Sequence, residues 1–502
     1  MDTHEPLPEP PSTPLNIQDQ SPFLQSLIHE KALDPLSFHM PGHKFSAGMN
    51  PLLSAYWGDE VYPADRVEVG GIIDYLHAPR HTLVEAQRLA ALAVGADHSF
   101  FLVNGSTVGN LASMMATVSD GQKVIMPRAS HRSVYGGLIL SGAEPVYIPP
   151  VYHPQVEFPL AVSVQVVADM LAAHPDARAV QITSPNYYGF LSDTAAIANL
   201  VHAHGIPLLV DEAHGAHLAY HPALPRSAVA LGADLIVQSM HKTLGALTQS
   251  AILHLNGSLV NHALLQQVLT LLQSSSPNSL LVASLDAARQ QMAVHGAELL
   301  QPALDAVQAA RQQIRTIPGL WCYGDELIGQ DGVYAYDPTK LVIRVSETGL
   351  SGSAFMRRLR QEHNVEPEFA SPKHLICSIS LADSSSSLER LVEALRLVAA
   401  SAPHAHVNGT GVTVAPPALP RLALSPRQAY FARSKRVPVA QAVGEICAEN
   451  VIPYPPGIPL LMPGEVIDAD TLDYLRFMLD NRISIVGPED LNLEHIRVIS
   501  GD

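Results

Sequence analysis

Positive charge is scarce in this chain. Its 30 Lys and Arg face 47 Asp and Glu, a formal net charge of −17. That balance excludes nucleic acid and an anionic membrane surface as principal partners, and it leaves room for a cationic small molecule. Cysteine is scarcer still. Cys322, Cys377 and Cys447 are far apart, odd in number and in no metal-ligand spacing, which excludes a disulfide framework and fits reduced thiols in a cytoplasmic protein. Long apolar runs are lacking as well. Thr243 to Leu285 contains no Asp, Glu, Lys or Arg, but Gln, Asn, Ser and His interrupt it, and no window of about 18 residues is apolar enough to span a membrane. The opening "MDTHEPLPEPPSTP" has neither the basic nor the apolar region of a signal peptide. Its prolines read as a flexible tail over residues 1–20.

With 502 residues, 47% of them hydrophobic and 15% charged, the chain is globular and long enough for about three domains. From about residue 85 to 255, short apolar runs such as "SFFLVNGS", "KVIMPRASH", "AVQITSP", "PLLVDEAHG" and "ADLIVQSMHK" alternate with segments of helical period such as "VGNLASMMATV" and "DTAAIANLVHAHG". That alternation predicts an α/β domain whose mainly parallel sheet is covered on both faces. The segment "LLVASLDAARQQMAVHGAELLQPALDAVQAARQQIRTI" predicts a helix long enough to leave that domain. "KLVIRVS", "GSAFMRRLRQEHN", "HLICSISLA" and "SSLERLVEALRLVAA" predict a smaller α+β domain. The boundaries read as a major domain with its N-terminal segment over 21–318, a small domain over 319–402, a linker over 403–425 and a C-terminal domain over 426–502.

Ligands of such sheets sit at the carboxyl ends of the strands, where "NGST", "SHRSV", "DEAHGAH" and "SMHK" all fall. Gly105, Ser106 and Thr107 precede a helix, so small residues, two hydroxyls and a helix N-terminus together could cradle a phosphate. Taken alone they read better as an ordinary N-cap. His131 could stack on a flat ring, or be a hydrogen-bonded surface histidine. Asp211 ends an apolar strand and needs a cationic partner there. Two chemistries fit it: a metal bound with nearby histidines, which no further ligand-spaced motif supports, or pairing with a protonated ring nitrogen. Lys242 stands alone at the mouth of a strand. A phosphate cradle, a stacking ring, a carboxylate for a pyridinium and a lysine for a Schiff base are, in combination, the parts that hold pyridoxal 5′-phosphate.

The ordered set "HMPGHK", "FFLVNGSTVGN", "HRSVYGGLILSGAEPVYI", "DEAHGAHLAY", "SMHKTLGALTQSAILH", "SPNSLLVASLDAAR" and "PYPPGIPLLMPGE" resembles the fold-type I ornithine/lysine/arginine decarboxylases, in their short form without an N-terminal wing domain. The resemblance covers roughly residues 20 to 480. It implies a major domain of the aspartate-aminotransferase type, a small α+β domain and a C-terminal domain. It also implies homo-oligomers with active sites at a dimer interface. In the family's roles, Lys242 would hold the cofactor as a Schiff base, Asp211 would pair with the ring nitrogen and His131 would stack on the ring. Gly105, Ser106, Thr107, Ser239 and His241 would line the phosphate, with His214 near the phenolic oxygen.

The implied reaction removes CO2 from a basic amino acid, arginine first, then lysine, then ornithine, and the amine feeds polyamine metabolism. A carboxylate must meet the substrate's distal cation. Asp74, Glu366, Glu368 and Glu465 are candidates, with His77 beside Asp74. Two departures bear on substrate choice: the lead-in to Asp74 and His77 is only partly present, and Arg344 stands where the family has a neutral residue. Arg344 also keeps an aminotransferase open, since such an enzyme grips the α-carboxylate with a small-domain arginine. A non-catalytic cofactor-binding regulator is the alternative of another class, and a metal hydrolase a third; no metal is expected.

Overall fold

The computed structural model describes residues 16–68, 73–153, 156, 158–403, 417–454, 457–480 and 483–501. Most of the Pro-rich tail and residues 404–416 of the linker read from the sequence lie outside the described residues. In chain order the strands are β1 (His98–Leu102), β2 (Lys123–Pro127), β3 (Glu144–Ile148), β4 (Ala179–Thr183), β5 (Phe190–Leu191), β6 (Leu208–Asp211), β7 (Leu235–Gln238) and β8 (Ala251–Leu255). All but β5 form one seven-stranded sheet in the order β1-β8-β7-β6-β4-β2-β3. Only β8 runs against its neighbours. The carboxyl ends of β1, β2, β4, β6 and β7 therefore share one edge, as the loop motifs required.

The continuous apolar strands have a physical reason. Side chains alternate across a strand, and both faces of this sheet are covered. Leu209, Leu235, Val237 and Leu253 join one core with the helices Gly105–Thr117, Arg132–Ser141 and His262–Leu272. Leu208, Val210, Ile236 and Ile182 join another with the helices Val164–Ala173 and Thr194–Ala203. A Cβ on Gly109 would come within 2.7 Å of the Val237 side chain, so glycine there lets the helix that starts at Gly105 lie directly on β7.

A helix of 36 residues, Ser279–Ile314, leaves this unit. Val282, Leu285 and Met292 pack with the first unit, while Ala306, Val307, Ala310 and Ile314 belong to a second core. That core lies under β9 (Trp321–Cys322), β11 (Lys340–Arg344), β12 (Phe369–Ala370) and β13 (His374–Ser378), an antiparallel sheet ordered β12-β13-β11-β9. β10 (Ala335–Tyr336) pairs instead with β5 and ties the two units together. The tail expected through residue 20 is anchored at its end. Buried Arg289 donates to the carbonyls of Gln18 at 3.0 Å and Gln20 at 2.6 Å, and its partner Asp286 accepts the Phe23 N–H at 2.9 Å.

The C-terminal unit pairs β14 (Ser434–Pro438) with β17 (His495–Ile499), and β15 (Ile452–Tyr454) with β16 (Ser484–Val486). It docks onto the loop after β2 through Arg128, whose guanidinium donates to the carbonyls of Pro459 and Leu460 and to both oxygens of Glu465. Both side chains are buried. Desolvation alone would weaken the Arg128 charge, but Glu465 and the Tyr135 and Tyr147 rings outweigh it and raise its pKa. Among the described residues no helix is long and apolar enough to cross a membrane.

Glu465→Ala leaves that guanidinium buried without its counter-ion and should cost about 3–5 kcal/mol. The unfolding midpoint should fall accordingly, and the double variant Arg128→Met/Glu465→Met should recover most of the loss. Equal midpoints for parent and Glu465→Ala would contradict this account of the docking.

Candidate active site

Asp211 is the last residue of β6 and is buried. It accepts the Ala213 N–H at 3.1 Å on one oxygen and the Asn110 side-chain N–H at 2.8 Å on the other. Among the described residues it has no ion-pair partner. Asn110 also donates to Ser133 Oγ at 2.9 Å. Ser133 in turn lies 2.7 Å from His131 Nδ1, which accepts the Ser133 N–H as the N-cap of its helix. Because Nδ1 accepts the Ser133 backbone N–H, it carries no proton, so His131 is neutral with its proton on Nε2 and the Ser133 hydroxyl donates to Nδ1. Burial, and then the charges of Lys242 and Arg132, depress the His131 pKa against the pull of Asp211.

Lys242 lies in the turn of helix Met240–Thr243 that follows β7, and β7 pairs with β6 in parallel. The residue is exposed as a whole, and its nitrogen lies 3.1 Å from His214 Nε2. The surrounding protein strips enough water to lower its pKa; Asp211 and Glu368 oppose that shift and Lys340 adds to it. Gly105 takes φ +73° and donates its N–H to the Gln249 carbonyl at 2.9 Å, opening the helix that presents Ser106 and Thr107. Among the described residues the hydroxyls of Ser106 and Thr107 make no hydrogen bond, and Ser239 Oγ is buried with no partner. His241 donates Nδ1–H to the Ser250 carbonyl at 2.9 Å, and Nε2, once protonated, would be a donor for an anion. A buried orphan hydroxyl, two free hydroxyls at a helix start and an unpaired buried carboxylate are what a phosphate and a protonated ring nitrogen would satisfy. The residues fit pyridoxal 5′-phosphate.

His214 occupies the tight turn after Asp211, not a helical turn. Its two ring nitrogens meet two lysines, Nε2 with Lys242 and Nδ1 with Lys340 at 3.2 Å. Desolvation first, then those two charges, push its pKa well down. His217 faces Asp337 at 3.2 Å. The metal reading of Asp211, His214 and His217 is thus left without a ligand set.

Of the substrate carboxylates expected from the sequence, only Glu368 reaches this place, at 3.5 Å from Lys340 Nζ. The other three lie elsewhere in this chain. Glu465 is buried against Arg128 in the domain contact. Glu366 is exposed and pairs with Arg360 at 2.7 Å. The oxygens of Asp74 accept the backbone N–H groups of Tyr75, Arg80, His81 and Leu83, fixing the start of the helix Thr82–Val94. His77 bonds the Ser274 carbonyl at 2.7 Å and lines a separate surface cavity with His98 and His262. Arg344 sits at the opposite end of β11 from Lys340, four residues or about 13 Å along the strand, and pairs with Glu347 at 2.6 Å.

Sequence reasoning missed Asn110, Ser133 and Lys340. Each carried a signal: an amide on the buried face of "VGNLASMMATV", a serine in the first turn of the next helix, and a lysine heading the apolar strand "KLVIRV".

Two family models match the chain: Orn/Lys/Arg decarboxylase, major domain, over residues 21–387, and Orn/Lys/Arg decarboxylase, C-terminal domain, over residues 406–485. An arginine decarboxylase of Halalkalibacterium halodurans is 38% identical over 482 residues, 96% of this chain and 98% of that protein. One of Bacillus subtilis is 38% identical over 486 residues, again 96% and 98%. The crystal structure of a lysine decarboxylase from Francisella novicida superposes with a TM-score of 0.82 at 20% identity, covering 96% of this chain and 82% of that one. The architecture is that of fold-type I pyridoxal phosphate enzymes.

Proposed function

The chain belongs to the Orn/Lys/Arg decarboxylase family, and from that premise we propose that arginine is the basic amino acid it decarboxylates. It is a pyridoxal 5′-phosphate-dependent carboxy-lyase. Two relatives of matching length that bear the name arginine decarboxylase support the choice of substrate. The observation that carries the assignment of roles is the pairing of β6 with β7, which sets buried, cation-free Asp211 beside the turn that bears Lys242.

Pyridoxal 5′-phosphate, when bound, supplies the electron sink for the pair left on Cα as CO2 departs. The protein does the rest. Lys242 would hold the cofactor and would return a proton to the substrate's Cα. Asp211, held by Asn110 and the Ala213 N–H, keeps a proton on the ring nitrogen. His131, fixed by Ser133, covers the ring. Ser106, Thr107, Ser239 and His241 hold the phosphate at the start of two helices, where the backbone dipoles favour an anion. The aminotransferase alternative loses its support, because Arg344 points to Glu347 at the far end of β11.

Homo-oligomers with shared active sites belong to the same reading. Only one of the expected substrate carboxylates lies in this chain's own site. Leu36, Phe38, Met40, Leu52 and Tyr56 in the N-terminal segment are between 68% and 88% exposed, an apolar surface that suits a second copy. Buried reduced cysteines fit the cytoplasm, and the product amine would enter polyamine metabolism.

Incubation with arginine, lysine and ornithine, read by product chromatography, should give agmatine fastest; cadaverine in excess would overturn the choice of arginine. Asp211→Asn should retain the cofactor while turnover falls by roughly one to two powers of ten, the value of one charge-assisted hydrogen bond that strengthens at the transition state. Unchanged turnover would remove Asp211 from its role. Sedimentation velocity should give a dimer or larger species that Phe38→Asp/Tyr56→Asp dissociates. A parent chain that sediments as a monomer would refute the shared site.

A further inference from the structure

Lys340 lies wholly outside the motifs that identify the site, yet its side chain is 1% exposed and its nitrogen touches His214. Its contacts fix its hydrogens. Ser378 Oγ donates to Glu368 Oε2 and so must accept from Lys340. Lys340 faces that same Glu368 oxygen at 3.5 Å and His214 Nδ1 at 3.2 Å. An ammonium has three N–H donors and no lone pair, and three acceptors surround this one. His214 Nδ1 is therefore an acceptor. A neutral imidazole then carries its single proton on Nε2, the nitrogen that lies 3.1 Å from Lys242 Nζ. Two donors cannot share that contact. If Nε2–H donates, Lys242 must accept with a lone pair, which only the unprotonated amine has.

From this chain of contacts, resting on the reading of Lys242 as the cofactor lysine, we propose that Lys340 is a positioning residue. Acting through His214, it holds Lys242 as a free amine before the cofactor is captured. The free amine is the form that reacts with an aldehyde; the capture releases one water and needs no redox partner. The remaining charged groups are arranged in keeping with this. Asp211 and Glu368 favour a charged Lys242, but Glu368 is engaged by Lys340 and Ser378, and Asp211 by Asn110 and the Ala213 N–H. His131 is neutral, and His217 is turned to Asp337. The positive neighbour Lys340 disfavours a second cation at Lys242, and Gly189 makes the approach of its stem feasible: a Cβ there would lie 2.9 Å from the Lys340 Cβ.

The test is competitive labelling of the full-length, cofactor-freed chain with acetic anhydride across a pH series, reading the Lys242 peptide by mass spectrometry. In the parent, Lys242 should reach half-maximal reactivity below the ordinary lysine value. Lys340→Met should move that midpoint upward by about one pH unit, slowing labelling at pH 8 about tenfold, and Lys340→Arg should restore the parent profile. If Lys340→Met does not fold, His214→Leu, which cuts the chain of contacts at its middle, must produce the same displacement. An unmoved profile in the folded variant overturns the role of Lys340. Prior incubation with pyridoxal 5′-phosphate must protect Lys242 in the parent. Loss of that protection would defeat the cofactor-lysine reading itself, whereas protection with an unmoved profile defeats only the inference about Lys340.

Discussion

A carboxylate buried without a counter-ion is costly, because two hydrogen bonds replace only part of the hydration it gives up. Asp211 is in that position at the end of β6. The Asn110 amide holds one oxygen, the Ala213 N–H holds the other, and among the described residues no cation pairs with either. The fold tolerates this because the strand is locked between β4 and β7 and cannot retreat. The deficit is met by whatever brings a positive ring nitrogen to the same place. Much of the surrounding structure follows from keeping that place in register: the Asn110–Ser133–His131 contacts run along one side of it, and the turn bearing Lys242 leaves the adjacent strand.

The parallel sheet and its functional edge were legible in the sequence because both depend on local pattern. Four- and five-residue apolar strands followed by loops that carry Gly, Ser, Asp or Lys can be read without knowing what they pack against, and Asp211 and Lys242 stood out as charges at or just past apolar strand ends. Side chains whose meaning depends on distant neighbours were not legible. Glu465 reads as an available carboxylate until Arg128, from a different unit, is found beside it. Asp74 reads the same way until the chain folds back and places four N–H groups around it. Lys340 comes from the second sheet and meets His214 only when the two units are apposed.

The two lysines illustrate how one residue type serves different ends. Lys340 has its donors matched by a hydroxyl, a carboxylate and an imidazole, three acceptors for the three N–H bonds of an ammonium group. Lys242 has one imidazole contact and belongs to an exposed residue, which is the environment of a group that must change partners. His214 separates them by a single ring, and its lowered basicity keeps it from adding its own positive charge beside Lys340.

The helix Ser279–Ile314 carries a mechanical implication. It passes from one core to the other near Pro302, with Leu300 on the first side and Ala306 and Val307 on the second. Proline removes one backbone hydrogen bond and crowds the preceding turn, so bending compliance is concentrated where the helix changes hands. The second sheet hangs from the far arm of this lever and bears Lys340, Glu368 and Ser378 as one rigid triad. A few degrees of flexure would move all three relative to His214 at once, so the electrical setting of the reactive amine is geared to the posture of the whole molecule.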